Sequence, residues 1–184
     1  MRTHQTSSRI FRALCLIVAT LRWGVFPDRV SADESDTYIW WEGEAFTQTT
    51  SPRPVDPSTP GNQTPEEREK LSGGKWMTVK PPEDGSACVI RYEVVVPTAK
   101  TYDFWVRKFW KHGPFKWRFG DAEWRTCNKN IALADTVSLR EKWGANWVFL
   151  GKVELDQGKH ILDVEMIENK GCFDCWLLVD RPHT

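Results

Sequence analysis

From residue 73 to the C-terminus the chain is a series of short runs in which apolar and polar side chains alternate. Phe115, Trp117 and Phe119 alternate with Lys116 and Arg118. Tyr102, Phe104 and Val106 alternate with Asp103, Trp105 and Arg107, and Leu162, Val164 and Met166 with Asp163 and Glu165. A period of two places every second side chain on one face of a strand, which is the pattern of a sheet with one buried face. Turn residues recur about every 8 to 12 positions, the spacing of an all-β sandwich. Strands are expected at 38–47, 88–96, 102–107, 115–119 and 172–179. A hairpin around Asp156-Gln157-Gly158-Lys159 is expected to join 146–155 to 160–167. The chain carries no long helical pattern and no internal repeat.

Five prolines between positions 52 and 65 bar residues 48–70 from a sheet ladder, because proline has no N–H to donate. This stretch reads as a long surface loop with a short helix at 65–70. Asn62-Gln63-Thr64 within it matches a glycosylation sequon.

The first 32 residues read as a secretory signal. Arg2, Arg9 and Arg12 precede an apolar run at 13–21, and Val30-Ser31-Ala32 offers a small-residue cleavage site. The run is shorter than the roughly 20 residues that span a bilayer. Removal of this leader implies a secreted or periplasmic protein of 152 residues, 33–184, forming one domain that is not transmembrane after cleavage. Those residues hold 20 basic and 24 acidic side chains, a net charge of −4. That balance argues against a nucleic-acid partner. Four cysteines follow the leader: Cys88, Cys127, Cys172 and Cys175. An even number in an exported chain suggests two disulfides, with three connectivities open. Pairing of Cys172 with Cys175 along one extended strand is disfavoured, because three residues span about 10 Å.

Eleven tryptophans in 184 residues require either a bulky core or a flat ligand. Trp23 lies in the leader. Trp117 shares a face with Phe115 and Phe119 and reads as core, and Trp147 shares parity with Phe149, Val153 and Leu155 and reads the same way. Trp40 and Trp41 point to opposite sheet faces. Trp76 and Trp176 read as packing. Trp105 alternates against its core neighbours and faces the other side with Asp103, Arg107 and Phe109. Residues 107–118 interleave five cations with four aromatics, Phe109, Trp110, Phe115 and Trp117. Such a surface suits a glycan, an acidic one included, or single-stranded nucleic acid, unless its cations simply form a solvated face. The leader and the acidic balance favour the glycan.

The order of motifs resembles a known family. Glu42-Gly43-Glu44-Ala45 is followed by Gly73-Gly74-Lys75-Trp76 and by a strand ending in Val94-Val95-Val96-Pro97. Then come Lys100-Thr101-Tyr102, Trp143-Gly144-Ala145-Asn146-Trp147, Gly158-Lys159-His160 and Cys172-Phe173-Asp174. This looks like the carbohydrate-binding modules of families six and thirty-five over nearly all of 33–184. The resemblance implies a jelly-roll β-sandwich of the galactose-binding type and no catalysis. It implies a structural Ca²⁺ held by Glu42, Glu44 and Asp174 with backbone carbonyls, an oxygen shell of the kind calcium takes. It also implies a sugar cleft at one end of the sandwich, with Trp143 stacking on the ligand. Two positions depart from the pattern: Cys88 or Val89 stands where a second aromatic is expected, and Cys172 stands near an expected Asn. The departures suggest that Cys88 and Cys172 lie together, bridged where the family binds sugar.

His112 and His160 are isolated, and Ser72, Ser86 and Ser138 lack a nucleophile motif. The expected function is therefore recognition of a polysaccharide or other glycan, with Trp143, Trp110, Trp105 and Arg107 as contacts. The alternatives are a structural or protein-interaction sandwich that has lost the cleft, and an accessory domain of a polysaccharide-degrading enzyme.

Overall fold

The computed structural model describes residues 38–51, 57–58, 65–109, 111–128, 135–140, 143–168 and 170–181. The expected leader and the sequon lie outside the described residues. Among those described are twelve strands: β1 (Tyr38–Glu42), β2 (Gln48–Thr49), β3 (Pro57–Ser58), β4 (Trp76–Val79), β5 (Cys88–Val96) and β6 (Lys100–Phe109), followed by β7 (Phe115–Phe119), β8 (Arg125–Cys127), β9 (Asp135–Arg140), β10 (Trp143–Leu155), β11 (Gly158–Met166) and β12 (Gly171–Val179). A four-residue helix, Pro65–Arg68, and a 3₁₀ turn, Ser72–Gly74, are the helical elements described. Among the described residues no helix is long and apolar enough to cross a membrane.

The strands form two antiparallel sheets, a jelly-roll-like sandwich. The larger has seven strands in the order β3-β4-β12-β6-β10-β9, with β1 added beside β12. The smaller has five, in the order β2-β5-β11-β7-β8. The apolar parity of the sequence selects the inner faces. Tyr102, Phe104 and Val106 of β6 meet Phe115, Trp117 and Phe119 of β7 and Leu162, Val164 and Met166 of β11 in one core. Phe104 is its hub. Its ring lies 5.0 Å from Trp117, 5.2 Å from Phe119, 5.8 Å from Trp176 and 6.1 Å from Trp41, centre to centre. Aromatic pairs at such separations add to the stabilisation from buried area.

Two expectations fail, each for its own reason. Strands β10 and β11 are consecutive but do not pair: β10 lies in the larger sheet against β6, β11 in the smaller against β5 and β7. Their short connection crosses between sheets, so the apolar faces of both strands meet in the interior without a shared ladder. Within β10 a bulge between Phe149 and Gly151 shifts the register. One extra residue reverses which side chains face inward. Val153 and Leu155 therefore fill the core, whereas Trp147 and Phe149 turn to the outer face.

Because Phe104 supports four other rings, Phe104→Ala is expected to cost about 3–5 kcal/mol in urea denaturation. Val95→Ala, at an exposed position of β5, is expected to stay within about 0.5 kcal/mol.

Candidate functional site

The acidic residues singled out in the sequence meet where β1 ends beside β12. Gly43 follows Glu42, and its N–H donates to the Asp174 carbonyl at 2.8 Å. A Cβ at position 43 would stand 2.1 Å from the Phe173 carbonyl oxygen, so only glycine lets the two segments approach. Asp174 falls where the β12–β6 register shifts between Phe173 and Cys175. The irregularity leaves its polar atoms to neighbours outside the ladder. Its Oδ1 accepts from the Ser72 N–H at 2.9 Å, and its Oδ2 accepts from Arg107 Nε. Ser72 Oγ donates to Glu42 Oε1 at 2.5 Å, and the same oxygen accepts from the Trp40 indole at 3.1 Å. Arg107 Nη2 reaches the Lys70 carbonyl at 2.7 Å.

This clasp ties β1, the Ser72 turn, β6 and β12 together, and it carries three carboxylates against one guanidinium. Burial pushes the Asp174 carboxyl up to about 6, although Arg107 pulls it the other way. Glu42 Oε2 and Glu44 Oε2 are buried without a hydrogen-bond partner. Unpaired buried carboxylate oxygens are costly, and two of them beside a surplus of negative charge suit a hard cation. Arg107 already holds the Asp174 carboxylate. Among the described residues no three His, Cys, Asp or Glu side chains converge as a ready-made metal cluster. The oxygens left without a hydrogen-bond partner are those of Glu42 and Glu44, whereas the Asp174 carboxylate is held by Arg107 and Ser72.

Of the four expected sugar contacts, the side chains of Arg107 and Trp105 are among those described. Trp110 lies outside the described residues. Trp143 opens β10, and its side chain is not among those described. Arg107 is committed to the clasp, with its guanidinium 5.9 Å from the Trp147 ring. Trp105 is on the outer face of the larger sheet, packed in a cluster with Trp147, Cys175, Leu177 and Val179. The cations of 107–118 are not a free basic stripe either. Lys108 is buried, and desolvation lowers its pKa to about 8. Lys116 pairs with Glu165 at 2.9 Å and Arg118 with Asp163 at 3.5 Å, and both flank the Trp124 ring.

The four cysteines are free and buried rather than disulfide-bonded. Cys88, Met166, Phe115 and Cys127 form one row across the smaller sheet, which sets Cys88 and Cys127 three strands, about 14 Å, apart. Cys172 packs with Leu71, Trp76, Phe109 and Ala145 on the far side of the larger sheet, away from the core that holds Cys88. Cys175 belongs to the Trp105 cluster. Burial raises the Cys127 and Cys172 thiols to about 11, which keeps them protonated at neutral pH.

What the alternation did not reveal is how open the outer face of the larger sheet is. Among the described residues, the large aromatics classed as exposed are Tyr38, Trp40 and Phe149. All three lie on that face. That Trp40 and Trp41 face opposite sides was legible, but not which of them is exposed; the outward turn of Phe149 was hidden by the bulge.

No family model matches the chain, and no curated protein matches it. Solved structures do. The Podospora anserina GH26-CBM35 β-(1,4)-mannanase superposes with a TM-score of 0.51 at 18% identity, over 80% of this chain and 28% of that one. The shared fold is a β-sandwich, and that mannanase carries a family thirty-five carbohydrate-binding module. The insecticidal crystal protein Cry2Aa superposes with the same TM-score at 14% identity, over 78% of this chain and 21% of that one. A carbohydrate-binding module (CBM6cm-2) from Cellvibrio mixtus lichenase 5A, in complex with cellotriose, aligns at 0.44 and 13% identity, over 80% of this chain and 98% of that one. The chain spans less than a third of the first two structures.

Arg107→Ala is expected to cost about 3–5 kcal/mol in chemical denaturation, because it strands the buried Asp174 carboxylate; Arg107→Ala with Asp174→Asn is expected to recover part of that loss. Thiol titration of residues 33–184 is expected to find no reactive cysteine in the native protein and all four after unfolding, and unreduced peptide mapping to find no linked pair.

Proposed function

We propose that this chain is an exported, non-catalytic carbohydrate-binding module. The observation that carries the reading is the collection of exposed aromatic side chains, Tyr38, Trp40 and Phe149, on one outer sheet face. Elsewhere the described aromatics mostly fill the core. Flat rings with polar neighbours on a rigid sheet form a surface on which sugar rings stack, with hydrogen bonds supplied from the edges. The sandwich fold, shared with a mannanase that carries a family thirty-five module, supports the reading. So does the leader, whose cleavage after Ala32 would place the domain outside the cytoplasm.

The same proposal assigns a structural Ca²⁺ to Glu42 and Glu44 beside Asp174. The two unpartnered carboxylate oxygens support this site. The ion would neutralise the clasp and fasten the first strand to the last, beside Trp40, whose indole donates to Glu42. It would supply charge and coordination and no chemistry on a ligand. Trp143 and Trp110 remain candidates for a second contact at the loop end.

Affinity electrophoresis of the exported chain through a panel of polysaccharides tests the function. Retention by at least one polysaccharide is expected, and Trp143→Ala is expected to keep most of it. A flat panel at high protein concentration would overturn the reading. Calcium in large excess over its dissociation constant is expected to raise thermal stability, by about 2.7 kcal/mol at a hundredfold excess, and Glu44→Gln to abolish the increase.

A further inference from the structure

The outer face of the larger sheet is ordered in rows. In the antiparallel register Trp40 stands opposite Leu177, Leu177 opposite Trp105, and Trp105 opposite Phe149. These four side chains therefore cross β1, β12, β6 and β10 in one straight line, about 14 Å long at the usual strand spacing. The middle of the row is closely packed: Trp105 and Phe149 are 4.8 Å apart between ring centres, and Trp105 is only 8% exposed. Its ends are open, Trp40 and Phe149 each being 46% exposed. Among the described residues β1 has no strand on its other side at Trp40, and the described pairing of β9 reaches Trp147 but not Phe149. Among the described residues the row thus runs across the sheet from β1 to β10.

The rows on either side carry charge of both signs, and both of their cations are engaged by carboxylates. One contains Tyr38, Val179, Asp103 and Lys152, and Lys152 Nζ bonds Asp103 Oδ1 at 2.5 Å. The other contains Glu42, Cys175, Arg107 and Trp147, with Arg107 bound to Asp174 and Glu42 bound by Ser72 and Trp40. Further along β10, Glu154 adds a negative charge at the rim. Lys152 and Arg107, the cations of these rows, each already hold a carboxylate, and Glu42 and Glu154 leave a negative excess that disfavours an acidic chain.

We propose that this row is the binding site, and that it takes one extended, uncharged glycan chain lying across the strands from Trp40 to Phe149. The inference rests on the carbohydrate-binding reading and fixes the site and ligand class within it. Stacking on Trp40 and Phe149 anchors the two ends, while Leu177 and Trp105 form the floor between them. The small open area separates a glycan from a protein partner. At their fractional exposures, Tyr38, Trp40 and Phe149 together leave about 300 Å² open, against roughly 800 Å² per partner in a stable protein interface. The ion pairs at the rim separate a neutral chain from an acidic one.

The test is affinity electrophoresis in soluble neutral glucan, mannan and xylan and, in parallel, in polygalacturonate, alginate and heparin. The expected result is retention by a neutral polysaccharide that changes less than about twofold between about 50 and about 500 mM salt, since no ionic contact is screened. Trp40→Ala and Phe149→Ala are each expected to weaken it about tenfold, while Arg118→Ala on the opposite sheet leaves it unchanged. Both aromatic positions lie outside the core, and circular dichroism of each variant confirms folding. Retention only by acidic polysaccharides, fading with salt, overturns the inference. So does neutral retention that survives both substitutions, or sedimentation as a dimer that Trp40→Ala dissociates. Failure of every polysaccharide overturns instead the carbohydrate-binding reading on which the inference rests.

Discussion

Every residue of the last strand, Gly171–Val179, is buried, and the remainder of the sandwich depends on that double burial. Its inner side chains, Phe173, Trp176 and Leu178, close the core. Its outer side chains, Cys175, Leu177 and Val179, lie beneath the aromatics of the outer face. A strand apolar on both faces would suit a parallel sheet flanked by helices. Here the antiparallel sheet achieves the same burial with rings: Trp105 and Trp147 take the place that a helix holds in other architectures. The clasp at Asp174 then fixes where the strand begins its second half. The Gly43–Asp174 backbone bond and the Arg107 ion pair set the register of β1 and β6 against it, and the cross-sheet rows follow from that register.

Much of this order could be read from the sequence. Period-two alternation identified the inner faces of β6, β7 and β11, because those strands run without interruption and each side chain keeps its parity. It also set Trp105 and Arg107 on the face opposite the core. Alternation fails wherever a residue is inserted. The shift between Phe149 and Gly151 leaves no local mark beyond a glycine, yet it turns Trp147 and Phe149 outward while Val153 and Leu155 remain inward. Strand partnership was illegible for a different reason. A turn between two apolar strands looks the same whether they pair with each other or face each other from opposite sheets. Only the competition for ladder partners across the whole chain decides, and β11 is better satisfied between β5 and β7.

The site was partly legible. The strand reading placed Glu42 near the end of β1, and Asp174 lies in β12 beside it. The role of Arg107 was misread because an arginine in a run of aromatics looks like a surface contact; nothing in that run shows that a buried carboxylate lies across the β12 ladder. The cysteines mislead in a similar way. An even count suggests bridges, but in a sandwich a small apolar side chain is also useful packing, and their rows and faces hold them apart.

These points alter what a high tryptophan content means. A thin sandwich with short strands needs bulk between its sheets, and Trp41, Trp117 and Trp176 supply it, whereas Trp76 packs in the separate cluster on the far side of the larger sheet. The outer face has a different requirement. Leu177 and Val179 must be covered, yet no helix or second sheet lies over them among the described residues. Wide, flat rings can shield aliphatic side chains from water while leaving their own faces accessible, which a leucine or valine in the same place could not do. The same side chains therefore serve stability and recognition, with the buried centre of the row committed to the first and its open ends available for the second. The pairing of Asp103 with Lys152 and of Arg107 with Asp174 then determines the character of the surface, because charges engaged with each other leave the rings as the strongest features a ligand can meet.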